Sequence, residues 1–408
     1  MEEWKEYKLG EIADITPGFA FKSLDFGQKG EKVVKIKDIT PPIINLTDCE
    51  HVDLEKYDKS KLRRFLIKQN DYVVAMTGAT IGKIGKLKVD GHAYINQRVA
   101  KINAKEGFCA DFVYYALCED SFQLFVQNNI DSNSAQENIS ASSLGRFSIF
   151  LPSFTEQKRI ASILRSLDDK IDLLHQENKT LEAMAETLFR KWFIEEVKED
   201  WKEGTLDDIL SVKGGTTPST KEPKYWDGSI PWTSPKDVTT LNGIYLFNTE
   251  RKITQEGLKQ ISSGLLPAGT LLMSSRAPVG VLAYAEVPLA INQGYIAIID
   301  DKGYAKEFIY LWLKANMDMV HSYANGSTFM EISKSAFKSL GLLIPPKHIV
   351  DEFCDRIKPI FEKIKINELQ IRTINKTKDN ILPKLMSVRP EWSLNKYFFS
   401  KKLGLGSI

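Results

Sequence analysis

The chain has 408 residues, of which 43% are hydrophobic and 26% are charged, and it carries a formal net charge of +2 at pH 7. This length suggests two or three domains, and the hydrophobic content excludes a disordered chain. The N-terminus lacks the basic and apolar segments of a signal peptide, and no run of 18 apolar residues occurs, so we expect a soluble, cytoplasmic protein without a membrane span. The cysteines and histidines show no zinc-site spacing, and we expect no metal centre.

The two halves of the chain are related in sequence. The segment 4–12 returns at 201–209, where Trp, Lys, Glu, Leu and Ile recur at the same spacing. Other matched segments keep their order in both halves: 37–40 with 236–239, 94–97 with 290–293, 111–114 with 307–310, and 151–152 with 344–345. Each half is therefore one copy of a single module.

The first part of each module is predicted to be a β-rich domain. It is rich in Gly, Pro and aromatic residues, and its short alternating runs, such as DYVVAM and YIAII, are typical of strands. A helical segment precedes its end. We place the two domains at residues 1–151 and 198–344.

A glycine-rich stretch in the first domain, TGATIGKIG at residues 77–85, invites comparison with a phosphate-binding loop. That loop needs Gly where Thr77 stands and a hydroxyl residue where Ile84 stands. The aligned segment of the second copy, 275–280, keeps Gly280 but has no lysine. We therefore predict a turn between strands. Neither Pro-Pro pair of the chain belongs to the tetrapeptide of an adenine methyltransferase, so an enzyme acting alone is disfavoured.

Basic residues are concentrated between positions 59 and 88. Within this run a single acid, Asp71, stands among the following basic residues: Lys59, Lys61, Arg63, Arg64, Lys68, Lys83, Lys86 and Lys88. Such a local excess of positive charge is typical of a surface that binds a polyanion. An ordinary solvated lysine-rich surface is the alternative.

A long helix is predicted after each domain. Ser153 and Glu156 form a capping-box pattern at the start of the first helix, at residues 152–197. Apolar residues then recur in alternating steps of four and three, which is a heptad pattern. The positions are Ile160, Leu164, Leu167, Ile171, Leu174, Asn178, Leu181, Ala185, Leu188 and Trp192 in the first helix, and Phe353, Ile357, Ile360, Ile364, Asn367, Ile371, Ile374, Lys378, Ile381 and Leu385 in the second. The second helix is placed at residues 345–390, before a tail at 391–408, and the two helices are expected to pair.

These features together resemble the specificity subunit of type I restriction-modification systems. The residues that carry the resemblance are LPSFTEQKRIASILRSLDDKIDLL in the centre, GATIGK in the first copy, and GGTTPS with SIPWTSPKDV in the second. The resemblance implies an α+β fold in which two β-rich target recognition domains each read one half of a split site in double-stranded DNA. It also implies that the two long helices form an antiparallel coiled coil.

The resemblance further implies that the chain has no catalytic activity and no cofactor of its own. It would recruit two copies of a modification subunit, which methylates adenine with S-adenosylmethionine, and a restriction subunit that uses ATP and Mg²⁺. The second helix departs from the family pattern, because it lacks a counterpart of Glu156-Gln157 and contains Pro359. We therefore expect its first turns to be bent or to start late.

A protein-binding coiled-coil scaffold that does not touch DNA is the alternative function. Heptads predict a helix partner and carry no information about DNA, so the basic run and the paired domains are the features that favour DNA recognition.

Residues that read different half-sites should differ between the two copies, whereas matched residues hold the shared fold or contact phosphate. This argument disfavours the matched pairs Asn96-Gln97 and Asn292-Gln293 as base readers and leaves Lys37 and Lys236 open between phosphate contact and plain surface. A buried core residue is the favoured alternative for Trp226. The DNA-binding candidates are Lys22, Arg63, Arg64, Lys83, Lys86, Lys221, Lys224, Trp226 and Arg276.

The two seam asparagines predict the register of the helices. If Asn178 faces Asn367 in an antiparallel pair, Trp192 faces Phe353 and every other layer is apolar except that of Leu167 and Lys378. The ammonium group of Lys378 is expected to reach water from that layer.

Overall fold

The computed structural model describes residues 4–130, 137–197, 201–326 and 330–386. The chain divides into two compact units, one formed by residues 1–170 with 374–408 and the other by residues 171–373. Each unit therefore contains one β-rich domain together with a stretch of each long helix. The predicted tail at 391–408 and the last four residues of the predicted second helix lie outside the described residues.

Strands of the first unit follow the short apolar runs of the sequence. They are β1 (Lys5–Lys8), β2 (Ala13–Pro17), β3 (Phe26–Gly27), β4 (Glu31–Val34), β5 (Ile39–Thr40), β6 (Ile43–Ile44), β7 (Glu50–Val52), β8 (Leu66–Lys68), β9 (Tyr72–Ala75), β10 (Ile84–Lys86), β11 (His92–Ile95), β12 (Val99–Ala104) and β13 (Ser148–Leu151). Two main sheets have the orders β2-β12-β9-β10-β6-β5 and β3-β7-β4-β11-β8, and β1 pairs with β13.

The second unit repeats this topology with fewer strands. They are β14 (Lys202–Thr205), β15 (Ser211–Lys213), β16 (Trp226–Thr233), β17 (Tyr245–Leu246), β18 (Arg251–Ile253), β19 (Thr270–Ser274), β20 (Leu282–Ala285), β21 (Ala290–Ile291), β22 (Tyr295–Asp300) and β23 (Gly341–Ile344). The orders β15-β22-β19-β20-β17 and β18-β16-β21 correspond to β2-β12-β9-β10-β6 and β7-β4-β11 of the first unit, and β14 pairs with β23 as β1 pairs with β13. Strands β5 and β8 have no counterpart among the named strands of the second unit. The parallel pairs also match, since β10 with β6 corresponds to β20 with β17.

Short helices cover the sheets. In the first unit they are Leu9–Ile12, Lys59–Leu62, Ala110–Leu117, Asp120–Asn128 and Ala141–Leu144, and in the second Leu206–Ile209, Pro235–Thr239, Gln255–Leu258, Lys306–Ala315, Met317–Ser322 and Lys334–Lys338. Strand β9 shows how each sheet is buried on both faces. Tyr72 and Val74 pack in a core with the helix Ala110–Leu117, whereas Val73 and Ala75 point into a second core between the sheets.

The two long helices are Phe154–Arg190, which ends in a π turn at Lys191–Glu195, and Lys347–Met386. We refer to them as the central helix and the C-terminal helix. Of the two outcomes expected from Pro359, the late start is wrong, because the C-terminal helix begins at Lys347 and continues through this proline. Pro359 lies in the interior of this helix of 40 residues and removes one intrahelical hydrogen bond, while its neighbours Ile357 and Phe361 are buried and hold the helix in place there.

Within the second unit the helices run antiparallel and meet at the two asparagines. Asn367 Nδ2 donates to Asn178 Oδ1 at 2.8 Å, and the rings of Trp192 and Phe353 lie 5.7 Å apart. Moving forward along the central helix from Asn178 to Trp192 therefore corresponds to moving backward along the C-terminal helix, from Asn367 to Phe353. Asn367 also donates to a carboxylate oxygen of Glu177 at 3.0 Å. Asn178 and Asn367 share one layer, as the predicted register requires.

The helix pair in the first unit contains a buried ion pair. Lys378 Nζ lies 2.6 Å from Asp168 Oδ1, with the lysine side chain 18% exposed, and Tyr115 donates its hydroxyl to Asp168 Oδ2 at 2.9 Å. Water was the partner expected for this ammonium, and the structure adds a carboxylate partner, Asp168 on the facing helix, while the half-buried lysine side chain keeps part of its surface exposed. Sequence reasoning followed only the a and d positions and did not consider the acid next to Leu167.

The second domain is attached to the C-terminal helix through Glu368. Its buried carboxylate accepts the backbone N–H groups of Ile244 at 2.8 Å and Tyr245 at 3.2 Å. Burial raises the pKa of the Glu368 carboxyl to about 7, against the two hydrogen bonds, which lower it. A Cβ atom at Gly243 would lie 2.5 Å from this carboxyl group, so a larger residue there would displace the carboxylate from its two hydrogen bonds.

Replacing both seam asparagines by leucine, Asn178→Leu with Asn367→Leu, should raise the melting temperature while loosening the alignment. Burying two leucines stabilises the variant. In the native protein a slip of the helices would leave a buried amide unpaired, whereas the apolar layer of the variant carries no such penalty. Circular dichroism measures the first effect. The width of a spin-label distance distribution between the helices, in a cysteine-free background, measures the second. Lys179→Leu, on the exposed face, should leave that width unchanged, and a double variant with an equally narrow distribution contradicts the assigned role.

Replacing Lys378 by Met should destabilise the protein by about 3 to 5 kcal/mol, because Asp168 then remains buried without its cation. Adding Asp168→Asn should restore most of the loss, since a neutral amide can still accept from Tyr115. Thermal unfolding of the three proteins tests this expectation. Arg159→Met is the control, because Arg159 is 74% exposed and its pair with Glu156 should contribute less than about 1 kcal/mol. Equal losses in the two single variants would refute the assignment.

Candidate nucleic-acid interface

The basic pair Arg63-Arg64 lies on a short 3₁₀ turn, Arg63–Phe65, at the surface of the first domain. Leu62 and Phe65 on either side of the pair are buried, and they anchor the turn while both arginines remain exposed. The guanidinium group of Arg64 lies 4.6 Å from the centre of the Phe65 ring. Burial of the flanking apolar residues thus fixes the backbone that presents the two cations.

Phe65 belongs to an aromatic cluster that also holds Lys22. Phe19 contacts the rings of Phe65 and Tyr57 at centroid distances of 5.5 and 5.6 Å. The backbone N–H of Lys22 donates to the Tyr57 hydroxyl at 3.1 Å, and the Lys22 side chain is exposed. The fold therefore brings residues 22 and 63–64, which are distant in sequence, to one aromatic cluster.

Most of the candidate cations are exposed and form no salt bridge within the described part of the chain. Those that meet both conditions are Lys22, Arg63, Arg64, Lys83, Lys221 and Lys224. A salt bridge would reduce the attraction of such a group for phosphate. Lys22 has a carboxylate nearby, because its charge contributes to lowering the pKa of Asp25.

The glycine-rich stretch is a turn between two antiparallel strands, β9 and β10, as predicted. Gly82 has a φ of 81°, and its counterpart Gly280 in the second domain has a φ of 92°, a region that L side chains rarely adopt. The N–H of Ala75 donates to the Lys83 carbonyl at 3.0 Å, as that of Ser274 donates to Val281 at 2.8 Å. Lys83 is therefore an exposed cation at a position where the second domain has Val281.

Lys86 is not a surface residue, and we withdraw it as a DNA contact. Its side chain is 9% exposed and its ammonium nitrogen lies 2.7 Å from Asp111 Oδ1 and 5.1 Å from the centre of the Tyr114 ring. Asp111 is on the helix that covers the sheet, 25 residues further along the chain. A count of charges along the basic run could not reveal this pairing.

In the second domain, Lys221 and Lys224 are exposed on the turn that precedes β16, whereas Trp226 is buried. The indole N–H of Trp226 donates to the Ser219 carbonyl at 3.0 Å, and its ring meets that of Trp232 edge-on at 5.1 Å. Trp226 is therefore a core residue that holds the turn in place, and its assignment as a base contact is wrong.

Arg276 is half-buried, and its guanidinium lies 3.9 Å from a carboxylate oxygen of Glu331. Its place is equivalent to that of Thr77, because Ile332 N donates to Ser275 O as Ile139 N donates to Met76 O. Arg276 thus occupies a loop position that differs between the domains, with an acid beside it.

The matched residues make contacts inside their own domains. Asn292 is buried and accepts the Gly294 N–H at 2.8 Å, which agrees with a structural role. Lys236 lies 2.9 Å from Glu250, whose hydrogen bond raises the pKa of the lysine, and Lys37 lies 3.7 Å from Glu50. Both lysines are thus partly neutralised at the surface.

Sequence reasoning missed Arg251, at the start of β18. Its guanidinium lies 3.5 Å from the centre of the Trp226 ring, and the side chain is exposed. The sequence contained a signal for Arg251, because residues that read different half-sites should differ between the two copies, and no arginine occupies the corresponding position of the first copy.

Within the described ranges of the chain, no group of three His, Cys, Asp or Glu residues is arranged to hold a metal ion. None of the helices there has the length and apolar content that a membrane span requires.

A family model described as "Type I restriction modification DNA specificity domain" matches the sequence twice, at residues 1–183 and 198–376. The chain belongs to this family. The resemblance and the α+β fold class predicted from the sequence are thereby confirmed, and each half of the chain carries one specificity domain.

Several relatives of this specificity chain are named as specificity subunits of type I restriction enzymes. The MjaIX specificity subunit of Methanocaldococcus jannaschii is 39% identical over 162 residues, which cover 39% of this chain and 38% of that protein. The HindI specificity subunit of Haemophilus influenzae is 22% identical over 95% of this chain and 99% of its own length. The crystal structure of a type I S subunit from M. genitalium shares the fold, with a TM-score of 0.56 and 15% identity over 95% of this chain and 97% of that one.

Replacing Arg63 and Arg64 together by Ala should weaken modification of targets through the half-site read by the first domain. Loss of a base-reading arginine costs about 1 to 3 kcal/mol of discrimination. Because both side chains are exposed, the melting temperature should not change. Methylation of plasmids that carry the intact target, or one altered half-site, measures the effect. Arg146→Ala, an exposed arginine of the same domain, is the control. Unchanged modification in the double variant would remove both residues from the interface.

Proposed function

We propose that the chain recognises a split target in double-stranded DNA as the specificity subunit of a type I restriction-modification complex. Each β-rich domain would contact one half-site. One observation carries this proposal: the two domains share the order of their central strands, yet they carry different charges at equivalent surface positions. Lys83 stands where the second domain has Val281, and Thr77 stands where it has Arg276.

A shared topology with different surface charges is expected of two domains that recognise different DNA half-sites. A common scaffold places loops in the same way against the DNA backbone, while the side chains that reach base edges set the sequence of each half-site. A scaffold without DNA recognition would need neither the exposed, unpaired cations nor their difference between the copies.

The proposed partners are two copies of a methyltransferase subunit and a restriction subunit. Catalysis would reside in those subunits, which would use S-adenosylmethionine, ATP and Mg²⁺, and this chain would be non-catalytic. Support for two equivalent partner copies comes from the helices. Leu173 on the central helix and Ile366 on the C-terminal helix hold equivalent places in the repeat and are 56% and 58% exposed. Large apolar side chains so exposed at matched positions favour two related contacts.

Mapping of methylated adenines in the genome, with and without the gene, tests the proposal. We expect one bipartite motif to lose its methylation when the gene is deleted. An unchanged methylation map would contradict DNA specificity and favour the protein-binding scaffold.

A second experiment separates recognition from catalysis. The purified chain with S-adenosylmethionine should methylate no DNA, and addition of the methyltransferase subunit should produce sequence-specific methylation that weakens as salt increases, because phosphate contacts release counterions. Specific methylation by the chain alone would overturn the non-catalytic assignment.

A further inference from the structure

Arg251 is held in a defined orientation on the surface of the second domain. Its guanidinium lies over the ring of Trp226, at 3.5 Å from the ring centre, and 5.6 Å from the centre of the Trp232 ring. Both tryptophans are buried and meet edge-on, so the arginine lies on a packed aromatic surface. Arg251 pairs with Trp232 in the antiparallel ladder of β18 and β16, and its carbonyl accepts the Thr249 hydroxyl at 2.7 Å.

The donor groups of this guanidinium are open. Arg251 forms no ion pair with any described residue of the chain, and its side chain is exposed. A stacked guanidinium keeps its N–H groups in the plane of the fork, where they can bind two acceptors at once. Since the stacking already restricts the side chain, binding costs less conformational entropy than it would for a free arginine.

In the first domain, the aromatic ring equivalent to Trp226 is covered by a cation that has a carboxylate partner. Phe26 pairs with Val52 there, as Trp226 pairs with Ile253 in the second domain. A cation also stands over Phe26, because Lys35 Nζ lies 3.7 Å from the ring centre. That cation is neutralised by Glu50 at 2.6 Å. The cation over the ring is therefore shared by both domains, and the unneutralised guanidinium is particular to the second.

Two further cations lie on the turn that encloses Trp226. Lys221 precedes the short 3₁₀ segment Pro223–Tyr225 and Lys224 lies within it, and both lysines are exposed. The hydrogen bond from the Trp226 indole to the Ser219 carbonyl holds this turn in place. Lysines bind phosphate as point charges, whereas arginine is the usual bidentate partner of the guanine O6 and N7 atoms. This surface thus combines two lysines suited to DNA phosphates with one guanidinium group whose orientation is restricted by stacking.

We infer that Arg251 is a specificity-determining residue that reads a guanine in the half-site contacted by the second domain. This inference rests on the proposed function. It deepens that proposal by assigning one base of one half-site to one side chain, with Lys221 and Lys224 as phosphate contacts beside it.

The test compares methylation maps from cells that carry the complex with Arg251→Ala, Arg251→Lys or the wild-type chain. We expect both variants to lose the requirement for one guanine in the second half-site, with discrimination reduced about 5- to 150-fold, while the first half-site is read as before. Arg251→Lys keeps a cation over Trp226 as Lys35 stands over Phe26, so this variant separates the loss of the fork from a loss of folding.

Arg372→Ala is the matched control, because Arg372 also stacks on an aromatic ring of the same unit, at 4.7 Å from the centre of Phe247. Its methylation map should equal that of the wild type. Three results would overturn the inference: an unchanged motif in both variants, a uniform loss over all sequences in Arg251→Ala that Arg251→Lys restores, or relaxed reading of the first half-site. Failure of the proposed function is distinguishable, since the wild-type chain would then direct no methylation motif.

Discussion

Buried polar contacts between the two long helices fix the alignment on which the rest of the structure depends. A seam of isoleucine and leucine alone tolerates a slip of one heptad, because each apolar residue meets another apolar residue after the slip. Asn178 and Asn367 remove this freedom in the second unit, and Asp168 with Lys378 does so in the first. After a slip, an amide or charge left unpaired in such a layer would cost more free energy than the new apolar contacts could return.

Each domain is attached to helix residues whose place depends on this alignment. Gln157 on the central helix accepts the backbone N–H of Cys109 at 3.0 Å and donates to the Pro152 carbonyl at 2.9 Å. Glu368 on the C-terminal helix accepts two backbone N–H groups of the second domain. Both side chains satisfy donors that would otherwise be buried and unpaired. The helices therefore act as the framework that holds the recognition domains, and their register decides which residues face each domain.

The repeat provides one scaffold with two sets of charges. Equivalent strands, turns and positive-φ glycines recur in both domains because the hydrophobic cores demand them, as Gly82 and Gly280 illustrate. The side chains at the surface are under no such constraint. Phe26 and Trp226 occupy equivalent positions. A lysine that is paired with a glutamate lies over Phe26, whereas an arginine without an ion-pair partner among the described residues lies over Trp226. A scaffold of this kind allows the two specificities to differ without any change in the core.

The sequence by itself determined the repeat, the heptad seams, the family and the facing asparagines, because these features depend on periodicity along one chain and on matched order between its halves. It also pointed to Arg63 and Arg64 as surface cations, because arginines in a run of basic residues are usually exposed. Only the tertiary structure decided the fate of Lys86, which is neutralised by Asp111, and of Trp226, which is covered by Arg251. The physical reason is the same in both cases: burial and charge pairing are set by residues about 25 positions away in the chain, and only the packing of a helix or a neighbouring strand brings them into contact.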